Sequence, residues 1–218
     1  MEVFADRTDA GRRLAARLRD EPAVAAAQRV VVLAIPRGGL PVGAEVARAL
    51  GAPLDVAVVR KLRSPANPEL GYGAVDADGH VELDEDMIER LGITRQEIDA
   101  EIADRRERVR QRLELYRTAT SRTDMTGGCV LVVDDGIATG GTARHACAFA
   151  SRAGADRVVV GVPVGPADAE RRLADVADDV VVLVHPAEFL SVSQAYEDFS
   201  VLDDDTAVAA VTMSVADG

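Results

Sequence analysis

Five short apolar runs punctuate the chain: RVVVLAI (29–35), LDVAVVRK (54–61), GCVLVVD (128–134), RVVVGVPV (157–164) and DVVVLVH (179–185). Polar residues do not alternate within them, so each reads as a strand covered on both faces, as in a parallel sheet. Between them lie helical patterns. TDAGRRLAARLRD (8–20) has a Thr/Asp start and one apolar stripe, and PVGAEVARALG (41–51) has Pro in its first turn and Gly at its end. TARHACAFASRAG (142–154) and DAERRLADVA (168–177) continue the series. Strand, loop, helix and strand in this order form βαβ units, with a right-handed crossover expected.

The alternation stops between 62 and 127. SPANPELGYG and DADGH are Pro/Gly-rich turn material, and YGAVDADGHVEL (72–83) predicts a small hairpin. ITRQEIDAEIADRRERVRQRLELYR (93–117) predicts one long helix opened by a Thr94/Glu97 capping box. Its apolar positions, Ile98, Ile102, Val109, Leu113 and Tyr116, form a narrow stripe on a charge-dense cylinder. A lid, a contact with a second copy of the chain, or a solvated arm all suit such a helix. The segment 186–218 differs in texture and gathers Phe189, Tyr196 and Phe199 within eleven residues.

Composition narrows this picture. Hydrophobic residues make up 48% of 218, Trp is absent, and Phe and Tyr together number seven, so the core is built from Val, Ala, Leu and Ile. That suits one α/β domain spanning 1–218. Cys129 and Cys147 each lie in an apolar run and read as reduced core thiols, with no disulfide framework or metal cluster, which points to the cytoplasm. No signal-like start or membrane-length apolar stretch is present. The net charge of −12 disfavours nucleic acid and anionic lipid as partners, though a local basic pocket can still hold an anion. Of the 25 basic residues only Lys61 is lysine, a bias that suits a GC-rich genome or high-salt adaptation.

The candidate chemistry sits in VLVVDDGIATGGT (130–142). An apolar strand delivers Asp134 and Asp135 to the carboxyl edge of the sheet, where open α/β folds bind ligands. The chain then passes Gly136, Ile137, Ala138, Thr139, Gly140, Gly141 and Thr142 into a helix, so backbone amides and two hydroxyls can surround a phosphate. Neither a Walker A loop nor a dinucleotide fingerprint fits these residues. Carboxylates placed just before the cradle suit vicinal sugar hydroxyls, and can also steady hydrated Mg²⁺.

This stretch resembles the signature of type I phosphoribosyltransferases. The resemblance implies that family's fold: a central parallel sheet with helices on both faces, an inserted hairpin and long helix forming a lid region (62–127), and a C-terminal hood (186–218). It implies Mg²⁺-dependent transfer of the 5-phosphoribosyl group of phosphoribosyl pyrophosphate (PRPP) to a nitrogenous, purine-like acceptor, with release of pyrophosphate, as in nucleotide salvage. Asp134 and Asp135 would meet the ribose hydroxyls and, through water and PRPP, the metal, while residues 136–142 would hold the 5-phosphate. AIPRGGLPVG (34–43) is similar to the pyrophosphate loop of xanthine phosphoribosyltransferase-like members, with Arg37, Gly38 and Gly39 as contacts and Pro36–Arg37 as a candidate non-proline cis peptide. Lys61 and Arg63, in VVRKLRSPANPELGYG (58–73), match the family's basic residues against the pyrophosphate. Phe189, Tyr196 or Phe199 would stack on the acceptor, although Ala195 stands where this branch would carry Trp. A homodimer is expected. The alternative is a PRPP- or nucleotide-sensing protein of the same fold without turnover.

Overall fold

The computed structural model describes residues 3–68 and 70–216. In chain order the first elements are α1 (Arg7–Arg19), α2 (Pro22–Ala25), β1 (Val30–Ala34), α3 (Gly39–Leu50), β2 (Leu54–Val56), β3 (Arg60–Arg63), β4 (Gly71–Val75) and β5 (Val81–Leu83). There follow α4 (Glu85–Leu91), α5 (Arg95–Tyr116), β6 (Cys129–Val133), α6 (Gly141–Arg152), β7 (Arg157–Val164), α7 (Ala169–Leu173), β8 (Asp179–Val184) and α8 (Asp204–Ala216). They form two compact units, one running up to Val56 and resuming at Tyr116, the other Ala57–Leu115.

The first unit is built on a five-stranded sheet in the order β2-β1-β6-β7-β8, with every pairing parallel. Its central strands are valine-rich and buried almost throughout, because helices cover residues that would otherwise alternate between core and water. α1 packs on α3, and Leu14, Leu18, Val42 and Val46 join Val32, Leu131 and Val159 in one core. Asp6 caps α1 by accepting the Asp9 amide, and Gly51 closes α3 in the left-handed conformation, which glycine adopts without a Cβ clash. Register decides where ligand loops can form. Ala34 pairs with Val133, so the chains leaving β1 and β6 emerge side by side at the carboxyl rim.

The second unit contains an antiparallel sheet, β3-β4-β5, together with α4 and most of α5. The expected hairpin and long helix are both present, and Thr94 and Glu97 bond reciprocally at the helix start. The single strand expected over 54–61 is not. β2 pairs with β1 for three residues only, and from Arg60 the chain pairs with β4 instead. In β3, Leu62 is buried while Lys61 and Arg63 are exposed, the alternation of a strand covered on one face. Lys61 therefore lies in the hairpin sheet, and does not end a strand of the parallel sheet. Helices α2, α4 and α8 add to the expected elements. Among the described residues no helix is long and apolar enough to cross a membrane.

Candidate functional site

Two loops of the first unit meet at the carboxyl rim. After β1 the chain passes through Ile35 and Pro36, and the Pro36–Arg37 peptide is cis, at the position the resemblance indicated. The Gly39 amide then donates to the Ile35 carbonyl at 3.0 Å, and α3 begins. After β6 come Asp134 and Asp135. The Ile35 amide donates to the Val133 carbonyl at 2.8 Å, which ties the first loop to the root of the second.

Glycines permit this approach. A Cβ on Gly38 would stand 1.9 Å from Asp135 Oδ2, and one on Gly39 would stand 2.7 Å from the Val133 carbonyl oxygen and 2.9 Å from Asp134 Cα. Arg37 itself is exposed. Asp203 is held below the usual carboxylate range, first by hydrogen bonds from Thr206, with the Arg37 charge adding to them.

The second loop is shaped by what anchors it. The Ile137 amide donates to the Val164 carbonyl at 2.9 Å, and the Ile137 side chain is buried beneath the loop. Gly140, at φ +82°, turns the chain into α6, a left-handed position that favours glycine. Arg172 Nη1 donates to the Ala138 carbonyl at 3.1 Å and Arg144 Nη2 to the Arg172 carbonyl, so the loop is braced from behind. Among the described residues no backbone carbonyl takes the amides of Ala138, Thr139, Gly140, Gly141, Thr142 or Ala143. Ala138, Thr139 and Thr142 are exposed. A run of unpaired amides at the start of a twelve-residue helix is a concave set of donors for an anion, and the helix dipole adds to it.

The acid pair is held by residues the sequence did not single out. The Asp135 amide donates to Asp134 Oδ1 at 2.8 Å. Arg7 Nε donates to Asp135 Oδ2 at 2.8 Å, and its guanidinium lies 3.8 Å from the centre of the Phe199 ring. Burial, then the neighbouring charge of Asp135, pushes Asp134 well above the usual carboxylate range. No local pattern marks Arg7, which is 128 residues from its partner.

The three aromatics of the C-terminal segment take unequal places. Tyr196 is buried with its ring tilted against Phe4 and Phe199, and its hydroxyl donates to the Asp135 carbonyl at 2.6 Å. The expectation that it stacks on an acceptor is corrected: both its ring and its hydroxyl are occupied within the protein. Burial pushes its phenol upward, so it remains a donor at neutral pH. Phe199 is half-buried and carries Arg7 on its ring, and Phe189 packs beside the same small core. Lys61 and Arg63 are exposed on β3 in the second unit, where the Arg63 amide donates to Glu101 Oε1 at 3.1 Å.

No group of three or more His, Cys, Asp or Glu side chains capable of caging a metal occurs among the described residues. The donors present fit a different arrangement. Mg²⁺ keeps several waters and needs only one or two carboxylates alongside substrate phosphates, and if it bound at this rim Asp134 and Asp135 would be the carboxylates at hand.

Comparison with known proteins shows the family. The family model described as the phosphoribosyl transferase domain matches residues 4–199, and the chain belongs to that family. Proteins of two Mycobacterium tuberculosis strains, provisionally named phosphoribosyl transferases, are 46% identical over 209 residues, covering 96% of this chain and 46% of theirs. The chain thus spans about half the length of the curated relatives it matches. The crystal structure of TT1426 from Thermus thermophilus superposes with a TM-score of 0.80 at 38% identity, covering 97% of this chain and 98% of that one. The fold is that of type I phosphoribosyltransferases, as the signature implied.

Proposed function

We propose that the protein transfers the 5-phosphoribosyl group of PRPP to a planar nitrogenous acceptor, with a purine-like base as the first candidate, and releases pyrophosphate. The observation that carries this reading is the six unpaired amides of 138–143, separated by two residues from a pair of acids on one rim. Amides at a helix start bind a phosphate, and carboxylates accept from vicinal hydroxyls. A phosphorylated pentose carries both groups, a phosphate and vicinal hydroxyls.

In this reading the amides of 138–143 and the hydroxyls of Thr139 and Thr142 hold the 5-phosphate, and Asp134 and Asp135 orient the ribose. Arg37 faces the pyrophosphate, where a guanidinium offers paired donors to phosphate oxygens. Gly38 and Gly39 keep that loop close to the acids. The C1–O bond breaks with its electron pair leaving on pyrophosphate, a nitrogen lone pair forms the new bond to C1, and the nitrogen then gives up its proton. Fixed positive charge and amide dipoles favour the departing anion, and fixing the pentose removes the entropy of orienting it. Mg²⁺, held through water near Asp134 and Asp135, would neutralise phosphate charge. Lys61 and Arg63 are the further candidates for the pyrophosphate, and Phe189 and Phe199 for the acceptor.

The test is incubation of the protein with PRPP, Mg²⁺ and a panel of purine and pyrimidine bases while pyrophosphate release is followed. Turnover with one base names the acceptor, and Lys61→Ala should then slow it by about 10²-fold, the scale of losing one charge-stabilising donor. PRPP binding without turnover on any base would favour a sensing role.

A further inference from the structure

The N-terminal and C-terminal segments meet on the acid pair. The Phe4 amide donates to the Ala195 carbonyl at 2.8 Å, and the amides of Glu197 and Asp198 donate to the Phe4 and Ala5 carbonyls at 2.8 and 2.9 Å. This ladder carries two groups to one residue. Tyr196 donates to the Asp135 carbonyl, and Arg7, the first residue of α1, donates to the Asp135 side chain.

We propose that Arg7 is a positioning residue that fixes the Asp135 carboxylate for the pentose, through a clamp formed by residues 4–7 and 195–200; this rests on the PRPP reading of the acid pair. The guanidinium is held at three points. Its Nε donates to Asp135 Oδ2, its Nη1 donates to the Ser200 carbonyl at 3.0 Å, and its Cζ lies over the Phe199 ring. The side chains of Arg7 and Asp135 are only 11% and 14% exposed, so water competes weakly for the bond.

The geometry gives the two carboxylate oxygens different tasks. Oδ2 is closed off by Arg7 and by the glycine surface at Gly38. The Asp134 side chain also hydrogen-bonds to Asp135, and Oδ1, which Arg7 does not touch, is the oxygen assigned to a ribose hydroxyl. A carboxylate locked about its side-chain torsion presents that acceptor in one direction, which is where positioning gains its rate. Lysine cannot replace this arrangement, since an ammonium neither forks to Asp135 and Ser200 along fixed directions nor stacks flat on a ring.

The experiment is calorimetric titration of the intact protein with PRPP and Mg²⁺, extended to millimolar ligand, for the parent, Arg7→Ala, Arg7→Lys, Asp135→Asn and the Arg7→Lys/Asp135→Asn double variant. Arg7→Ala should weaken binding by about 10–10²-fold, the scale of losing one hydrogen bond to a charged group. Arg7→Lys keeps a cation, secures a folded sample if the alanine variant is unstable, and should weaken binding by a smaller factor. The double variant should bind like Asp135→Asn alone, because Arg7 acts through that carboxylate. Losses that multiply would mean that Arg7 acts by a route independent of Asp135, and that result, or parent-like affinity in both Arg7 variants, overturns the proposal while leaving the PRPP reading intact. A parent protein that does not bind PRPP overturns both.

Discussion

Gly38→Ala isolates the contact between the two loops. Gly38 has φ −60° and ψ −35°, a conformation alanine adopts freely, so the substitution brings no torsional cost. Its effect is steric. The new Cβ would lie 1.9 Å from Asp135 Oδ2 and 2.3 Å from Cγ, where ordinary contact begins at 3.4 Å, so the carboxylate must withdraw by more than about 1 Å. Withdrawal stretches the 2.8 Å bond from Arg7 past hydrogen-bonding range. Hydrogen bonds to charged groups contribute about 1.5–3 kcal/mol, and some solvent reaches this pair, so a loss of about 2 kcal/mol is expected. For a protein of this size that corresponds to a fall in Tm of about 4–8 °C. PRPP affinity should fall about tenfold or more, because the displaced carboxylate no longer meets the ribose. Thermal melting and calorimetric titration measure the two effects separately. Parent-like melting and binding in Gly38→Ala would refute the argument that this glycine is needed for the acids to reach their place.

Gly39→Ala differs in kind, since its Cβ would meet the Val133 carbonyl and Asp134 Cα, which are backbone and cannot swing aside. It should cost about 1–3 kcal/mol by overpacking, read as a lower denaturation midpoint, and a midpoint equal to the parent's would contradict the close docking of α3 on β6. Asp134→Asn tests the raised carboxyl. A group whose pKa is raised on folding contributes stability that is present below its unfolded value, near 3.8, and lost as pH rises through the folded one. The melting temperature of Asp134→Asn relative to the parent should therefore climb from pH 4 toward neutrality, and a difference independent of pH would rule out the shift.

The parallel core was legible because its strands are buried on both faces and its helices are punctuated by Gly and Pro. β1, β6 and β7 lie within a residue or two of the apolar runs that announced them. The run LDVAVV misled because a largely apolar run does not record a change of partner strand, which occurs after Val56. α4 carried its own signals, Asp84 accepting the Met87 amide and Gly92 in the left-handed conformation, but these lay among turn-forming residues that masked them. At the site, residues 36–39 and 134–142 were legible because each loop is a local motif. Arg7 was not, since an ion pair across 128 residues leaves no periodicity in either partner. Tyr196 was visible as an aromatic, while its burial and its bond to the Asp135 carbonyl depend on Phe4 at the other end of the chain.

Binding of a phosphorylated pentose at this rim is the central claim. Equilibrium titration with PRPP and Mg²⁺ should show saturable binding by the parent protein and none by the Asp134→Asn/Asp135→Asn variant, with both proteins folded by circular dichroism. Absence of saturable binding by the parent, or equal affinity in the two proteins, would contradict it.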